Sequence, residues 1–180
     1  MGYAVELYFD KQTEQSIRYL RHYLMEQGIT PTLGKLGDRP NVSLAVFPSI
    51  DCEILVPLVQ EYANNMEPFN VQLSEVGTFP TNENVLFLSP VPTQKLLTYH
   101  QEFHDRLTKA KLIPSLYYVP ANWTPHCSVE MNIPDEQLLN AMDLCKKTFK
   151  PLWGKFQEIG VVEFRPIKHL VTWPLLAKKH

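Results

Sequence analysis

One phrase occurs twice in this chain, and it limits the folds available. Thr124-Pro125-His126-Cys127-Ser128-Val129-Glu130 and Arg39-Pro40-Asn41-Val42-Ser43-Leu44-Ala45 share a proline, a polar residue, an apolar residue and a serine. Both read as strand starts. Side chains alternate along a strand, so His126 and Ser128 face one way and Cys127 the other, as do Asn41 and Ser43 against Val42. An imidazole beside a hydroxyl on a rigid strand can bind a phosphoryl group and move a proton at it. The second copy has both groups. The first holds Asn41 where the histidine would be.

The repetition extends beyond the motifs. Gly77 lies 36 positions after Asn41 (77 − 41), and Gly160 lies 34 after His126 (160 − 126). Each ends a similar phrase, Ser74-Glu75-Val76-Gly77 and Gln157-Glu158-Ile159-Gly160. Pro90 and Pro174, 49 and 48 positions after Asn41 and His126 (90 − 41 and 174 − 126), each close an apolar strand. A period of this length marks a duplicated structural unit.

The elements between these marks follow from pattern. Tyr3 to Phe9 alternates with Val5, Leu7 and Phe9 on one face, a strand. Asp10 caps a helix over Lys11 to Gln27, where Ile17, Leu20 and Leu24 keep helical spacing and Gly28 ends it. Val42–Phe47 is a strand, and Asp51 caps a second helix. Phe69–Val76 and Val85–Leu88 are strands. Pro92 opens a third helix. An aromatic, proline-containing loop from Ile113 to Trp123 leads to the second motif strand. A helix over Asp135–Phe149 and strands over Phe156–Phe164 and His169–Leu175 complete the chain. The expected fold is α+β: one domain over residues 1–180, built as two pseudo-symmetric lobes. These cover about 10–85 and 92–168, with the termini and linker strands exchanged between lobes. The sheets are antiparallel in type and face a central cleft, with the helices outside.

Composition excludes several functions. The 180 residues are enough to bury about 70% of the unfolded surface. A net charge of −2 argues against a protein that coats long nucleic acid. A single nucleotide or one RNA end stays open. Cys52, Cys127 and Cys145 are far apart and form no CxxC pair, which disfavours a zinc site or disulfide framework. No apolar run spans a bilayer and no signal-peptide pattern opens the chain. The expectation is a reduced cytoplasmic monomer without membrane attachment.

With the motifs, their separation of 85 positions (126 − 41) and the Gly77-Thr78-Phe79-Pro80 phrase in view, the chain resembles the two-histidine phosphoesterase superfamily over nearly its whole length. That superfamily includes 2′,5′-RNA ligase-like proteins and 2′,3′-cyclic-nucleotide phosphodiesterases. His126-Cys127-Ser128 matches its His-x-Thr/Ser motif; Asn41-Val42-Ser43 matches in hydroxyl and context but not in histidine. The resemblance implies metal- and cofactor-free chemistry on a cyclic phosphate or a 2′,5′-phosphodiester end. One histidine takes a proton from the attacking water or hydroxyl, the other protonates the leaving oxygen, and the hydroxyls hold the non-bridging oxygens.

On this reading His126 is a catalytic residue, Ser43 and Ser128 hold phosphate, and Asn41 is the degenerate position. An amide donates a hydrogen bond but does not titrate near neutrality, and losing one general acid or base typically costs about 10²–10⁴ in rate. Three outcomes stay open: a weakened enzyme, a non-catalytic module binding nucleotides or RNA ends, or a replacement proton carrier, for which His169 is the foremost histidine. Arg39 is a candidate phosphate contact. Phe79, Tyr117, Tyr118 and Trp123 are candidate base-stacking rings, since flat side chains suit nucleobases, although such rings more often pack a core.

Overall fold

A computed structural model describes residues 2–176. Seven strands, β1 (Gly2–Phe9), β2 (Asn41–Phe47), β3 (Phe69–Thr78), β4 (Leu86–Pro90), β5 (Cys127–Glu130), β6 (Leu152–Phe164) and β7 (Lys168–Pro174), form one sheet in the order β2-β1-β6-β3-β4-β5, with β7 also on β6. Every pairing is antiparallel. The class is α+β, as the sequence indicates.

β6 makes this arrangement possible. It is 13 residues long. Its first part, Leu152–Phe156, pairs with β3; from Phe156 on it pairs with β1; and Glu158–Glu163 pairs with β7 on the edge β3 has left. One strand thus serves two four-stranded groups, β2-β1-β6-β7 and β6-β3-β4-β5. The sequence pattern starts this strand only at Phe156, because Trp153 and Lys155 are exposed and Gly154 supplies no apolar signal.

Four helices cover the outer faces. α1 (Lys11–Glu26) packs on α4 (Asp135–Thr148), β5 and β6, and α4 packs on β3 and β4. α2 (Cys52–Asn65) packs on β6 and β7. α3 (Gln94–Lys109) joins α2 through the Tyr62 and Phe103 rings, 5.2 Å apart, and through the Tyr62 hydroxyl, which donates to the Tyr99 carbonyl at 2.5 Å. Asp10 caps α1, accepting from the Thr13 N–H at 3.0 Å, and also accepts from the Lys155 N–H at 2.7 Å, so the cap fixes the helix to β6. α3 starts after Thr93, whose hydroxyl accepts from the Leu96 N–H, rather than at Pro92. Val5, Leu7, Phe9, Val42, Leu44, Cys127, Val129, Ile159 and Val161 are buried among these layers.

The two halves carry matching rows across the sheet. Gly77, Phe87 and Ser128 lie side by side on β3, β4 and β5. Gly160, Glu6 and Ser43 lie side by side on β6, β1 and β2. The glycines that the repeat pairs are therefore the first member of each row, and each gives room to a ring. A Cβ on Gly77 would lie 2.6 Å from Phe87 Cζ, and one on Gly160 would lie 2.8 Å from Tyr8 Cε2 and 2.7 Å from the Val171 carbonyl oxygen.

Gly160→Ala should therefore lower stability by about 1–3 kcal/mol, because the backbone oxygen it meets cannot rotate away. Gly34→Ala, which meets nothing within 4 Å, should leave stability nearly unchanged. Thermal unfolding of the two variants checks this, at roughly 2–4 °C per kcal/mol for a chain of this size.

Candidate active site

β2 and β5 stand at opposite ends of the strand order, yet they touch. The folded sheet brings the starts of the two motif strands together, and the Asn41 backbone N–H bonds the Cys127 thiol. Cys127 is buried, and burial first of all pushes its thiol up to about 12. It packs as a small hydrophobe.

Arg21 of α1 fastens the junction. It is buried, and its Nη1 donates to the Asp38 carbonyl at 3.0 Å. Its Nη2 donates to Asp38 Oδ2 at 2.8 Å and to the Ser128 carbonyl at 2.7 Å. One guanidinium so links the segment entering β2 to the backbone of β5. Burial raises the Asp38 carboxyl, against the pull of Arg21.

Alternation sorts the motif side chains as expected. Val42, Leu44, Cys127 and Val129 are fully buried, while Asn41, Ser43, His126 and Ser128 are half-buried on the other face. His126 Nδ1 lies 2.7 Å from the Thr124 carbonyl, which can only accept, so Nδ1 carries the hydrogen and Nε2 keeps its lone pair. The imidazole is walled by Phe79, edge-on at 4.9 Å, and by Phe87 at 5.5 Å. Burial among them holds its pKa below the usual histidine value, with the Thr124 carbonyl opposing. The ring is mainly neutral at pH 7 and suited to taking a proton.

Asn41 repeats this anchoring without the titrating atom. Its Nδ2 donates to the Arg39 carbonyl at 2.8 Å, two residues back, as His126 Nδ1 does to Thr124. Its Oδ1 accepts from the Ser43 hydroxyl at 3.4 Å. The amide keeps the position of the missing ring but has no lone pair that takes a proton near neutrality.

The bulge in β2 also shapes the site. The register slips between Val5 and Glu6, leaving Leu44 as the extra residue. Its carbonyl accepts from His100 Nε2 at 3.0 Å and His104 Nε2 at 2.9 Å, while Ser43's carbonyl accepts from Trp123 Nε1 at 3.1 Å. Bulges of this kind re-aim the side chain beside them.

The other predicted contacts are placed as follows. Trp123 is stacked on His100 at 3.7 Å. Phe79 is stacked on Phe87 at 4.5 Å. The Arg39 guanidinium lies 4.3 Å over the Tyr8 ring and is ion-paired to Glu14 and Glu158. Tyr118, on the 3₁₀ turn Leu116–Tyr118, has its phenol pushed up by burial and then by the charges of Glu6 and Glu83. Tyr117 is exposed.

Two residues were missed. Glu6 and Tyr8 lie on β1 opposite Ser43 and Asn41, and the Tyr8 hydroxyl donates to Glu6 Oε2 at 2.8 Å. The signal was present: in a strand whose other face is Val5, Leu7 and Phe9, the alternate positions must take the opposite face of the sheet. Among the described residues no group of three or more His, Cys, Asp or Glu is placed to hold a metal, and no helix is long and apolar enough to cross a membrane.

A family model described as the 2′-5′ RNA ligase superfamily matches residues 40–165. No curated protein matches the sequence. Several solved structures share the fold, among them the following three. Escherichia coli LigT complexed with 3′-AMP has TM-score 0.65 at 13% identity, with 97% of this chain and 98% of that one covered. The Thermus thermophilus protein TT0787 has TM-score 0.63 at 14% identity, with 97% and 98% covered. Kluyveromyces marxianus Usb1 with uridine monophosphate has TM-score 0.53 at 15% identity, with 97% of each covered.

The histidines behind β2 give the scaffold an acid-sensitive point. Burial, and next the neighbouring His104, lower His100 to about 4. A histidine held neutral contributes its full stability above the unfolded value near 6.5 and loses it as the pH falls towards 4. Between pH 7 and pH 4 the wild type should lose on the order of 3 kcal/mol more than His100→Gln. Urea unfolding of both proteins at the two pH values checks this.

Proposed function

Because the chain belongs to the 2′-5′ RNA ligase superfamily, we propose that it is a phosphodiesterase acting on a 2′,3′-cyclic phosphate or a 2′,5′-phosphodiester at a nucleotide or RNA end. What supports this reading is the contact between the two motif strands, with a His126 held neutral by burial and a half-buried serine on each strand. The chemistry needs no metal. His126 Nε2 takes the proton of the attacking water or hydroxyl. Ser43 and Ser128 donate to the non-bridging oxygens, whose charge grows as phosphorus becomes five-coordinate. Asn41 Nδ2 is committed to the Arg39 carbonyl, so Asn41 supports Ser43 rather than moving a proton.

The substrate-contact roles of the remaining candidates narrow on this reading. Tyr118, whose phenol feels the charge of Glu6, is the ring assigned to meet the sugar or base. Phe79 acts through His126, Trp123 through the Ser43 carbonyl and Arg39 through Tyr8. The protein acts as a cytoplasmic monomer on this proposal.

A second reading is a module that binds nucleotides or RNA ends without turning them over. It is favoured by one observation, the absence of a titrating atom at Asn41. Incubation of the protein with a 2′,3′-cyclic nucleotide separates the two. The enzyme reading expects opening of the ring above the buffer rate and a fall in kcat of about 10²–10⁴ for His126→Ala. The module reading expects no turnover, but a shifted His126 imidazole signal on titration with a 2′-nucleotide. If that signal does not move at saturating ligand, the cleft is not the site under either reading.

A further inference from the structure

We propose that Glu6 is the proton carrier that stands in for the histidine absent from the first motif, with Tyr8 as its positioning residue. This rests on the phosphodiesterase reading above and adds the group which that reading leaves unnamed.

The matching rows make the argument. In the second half Phe87 is the cross-strand partner of Ser128 and touches the ring of His126. In the first half the cross-strand partner of Ser43 is Glu6, and that of Asn41 is Tyr8. The position that lies against the catalytic ring in one half is thus a carboxyl in the other, where the ring is gone. Glu6 Oε2 is taken by the Tyr8 hydroxyl, and Oε1 has no hydrogen-bond partner among the described residues. Tyr8 is itself fixed, under the Arg39 guanidinium and with His169 Nδ1 at 3.4 Å from its hydroxyl.

The titratable and charged groups around Glu6 come from several elements: Tyr8 on its own strand, Arg21 of α1, Asp38 and Arg39 before β2, Tyr118 of the 3₁₀ turn and Cys127 of β5. Together with burial, the largest cause, they leave the Glu6 carboxyl raised to about 8, so that it carries a proton at pH 7. The described histidines are less suited. His100 and His104 are committed to the Leu44 carbonyl, His22 pairs with Glu26 on an exposed helix face, and His169 reaches Glu6 only through Tyr8.

The step balances. Water attacks phosphorus as His126 Nε2 takes its proton. The P–O bond to the leaving sugar oxygen breaks with its electron pair on that oxygen, and the Glu6 carboxyl protonates it. His126 then releases a proton to solvent and Glu6 regains one.

The test compares wild type with Glu6→Gln, which keeps the shape and an acceptor for Tyr8. One substrate is a 2′,3′-cyclic nucleotide, and the other is a nucleoside p-nitrophenyl phosphodiester, whose phenolate leaves without a proton. On the cyclic nucleotide kcat should fall by about 10²-fold or more with KM little changed. The fall in kcat/KM above about pH 8 should disappear. On the nitrophenyl ester the loss should be small. Asn41→His added to Glu6→Gln should restore most of the lost turnover. Tyr8→Phe removes a bond that lowers the Glu6 pKa, so it should move the alkaline limb to higher pH, and it serves as the second variant should Glu6→Gln fold poorly. Equal losses on both substrates, or an alkaline limb unmoved in either variant, would overturn the proposal. An active wild type with an equally active Glu6→Gln overturns this inference alone. A wild type that turns over neither substrate overturns the phosphodiesterase reading and this inference together.

Discussion

The site depends on one buried guanidinium. β2 and β5 have no ladder hydrogen bonds with each other, because they are opposite ends of a single sheet. Arg21 joins them by holding Asp38 on one side and the Ser128 carbonyl on the other. Such a pair is a weak source of net stability, since stripping water from both charges offsets most of their attraction; removing one partner is another matter and typically costs about 3–5 kcal/mol. Among the described residues Nε of Arg21 has no hydrogen-bond partner, and burial raises the Asp38 carboxyl even with Arg21 beside it. Both features mark a pair whose effect is to set the position of two strands.

With that junction fixed, the two halves become comparable row by row, and their difference becomes chemical. The half that keeps the histidine surrounds it with Phe79 and Phe87, which keep the ring neutral by excluding water. The half with Asn41 at the matching position has Glu6 and Tyr8 in the neighbouring strand. An apolar wall suits a base that must be uncharged before it acts. A buried carboxyl suits an acid that must hold its proton until the leaving oxygen needs it. The two motif strands thus carry two environments of opposite character.

Much of this was legible in the sequence, and the limits have physical causes. The motif strands, the helices capped by Asp10 and Asp51 and the equivalence of Gly77 and Gly160 follow from alternation, capping and spacing, all local. The start of β6 was not readable, because Leu152–Lys155 is held by pairing with β3 rather than by an apolar pattern of its own. Nor could sequence show that Trp123 holds the Ser43 carbonyl or that His100 and His104 converge on the Leu44 carbonyl. Those bonds answer a bulge that exists only once β1 and β2 are paired. Arg39 looked available for phosphate because its partners, Glu14 and Glu158, are far away in the chain. Glu6 and Tyr8 were visible as the second face of an alternating strand, but their meaning needed the register that sets them against Ser43 and Asn41.

The protonation of Glu6 also bears on how an anion enters the cleft. A carboxylate opposite Ser43 would repel a phosphate, and at the low effective dielectric of a half-buried site that repulsion would oppose binding by several kcal/mol for charges about 4 Å apart. A neutral carboxyl removes the repulsion and keeps a donor. Proton and phosphate then favour each other by linkage: the bound anion raises the affinity of Glu6 for its proton by the same factor by which the proton raises the affinity for the anion. On the proposed function, the acid is most firmly protonated once the substrate is in place, and it loses its proton when charge has built up on the leaving oxygen. A histidine acid, which attracts the phosphate when protonated and repels nothing when neutral, does not depend on such coupling to admit the anion. A carboxyl needs it, and the burial of Glu6 together with its approach to Asp38 supplies it before any ligand arrives.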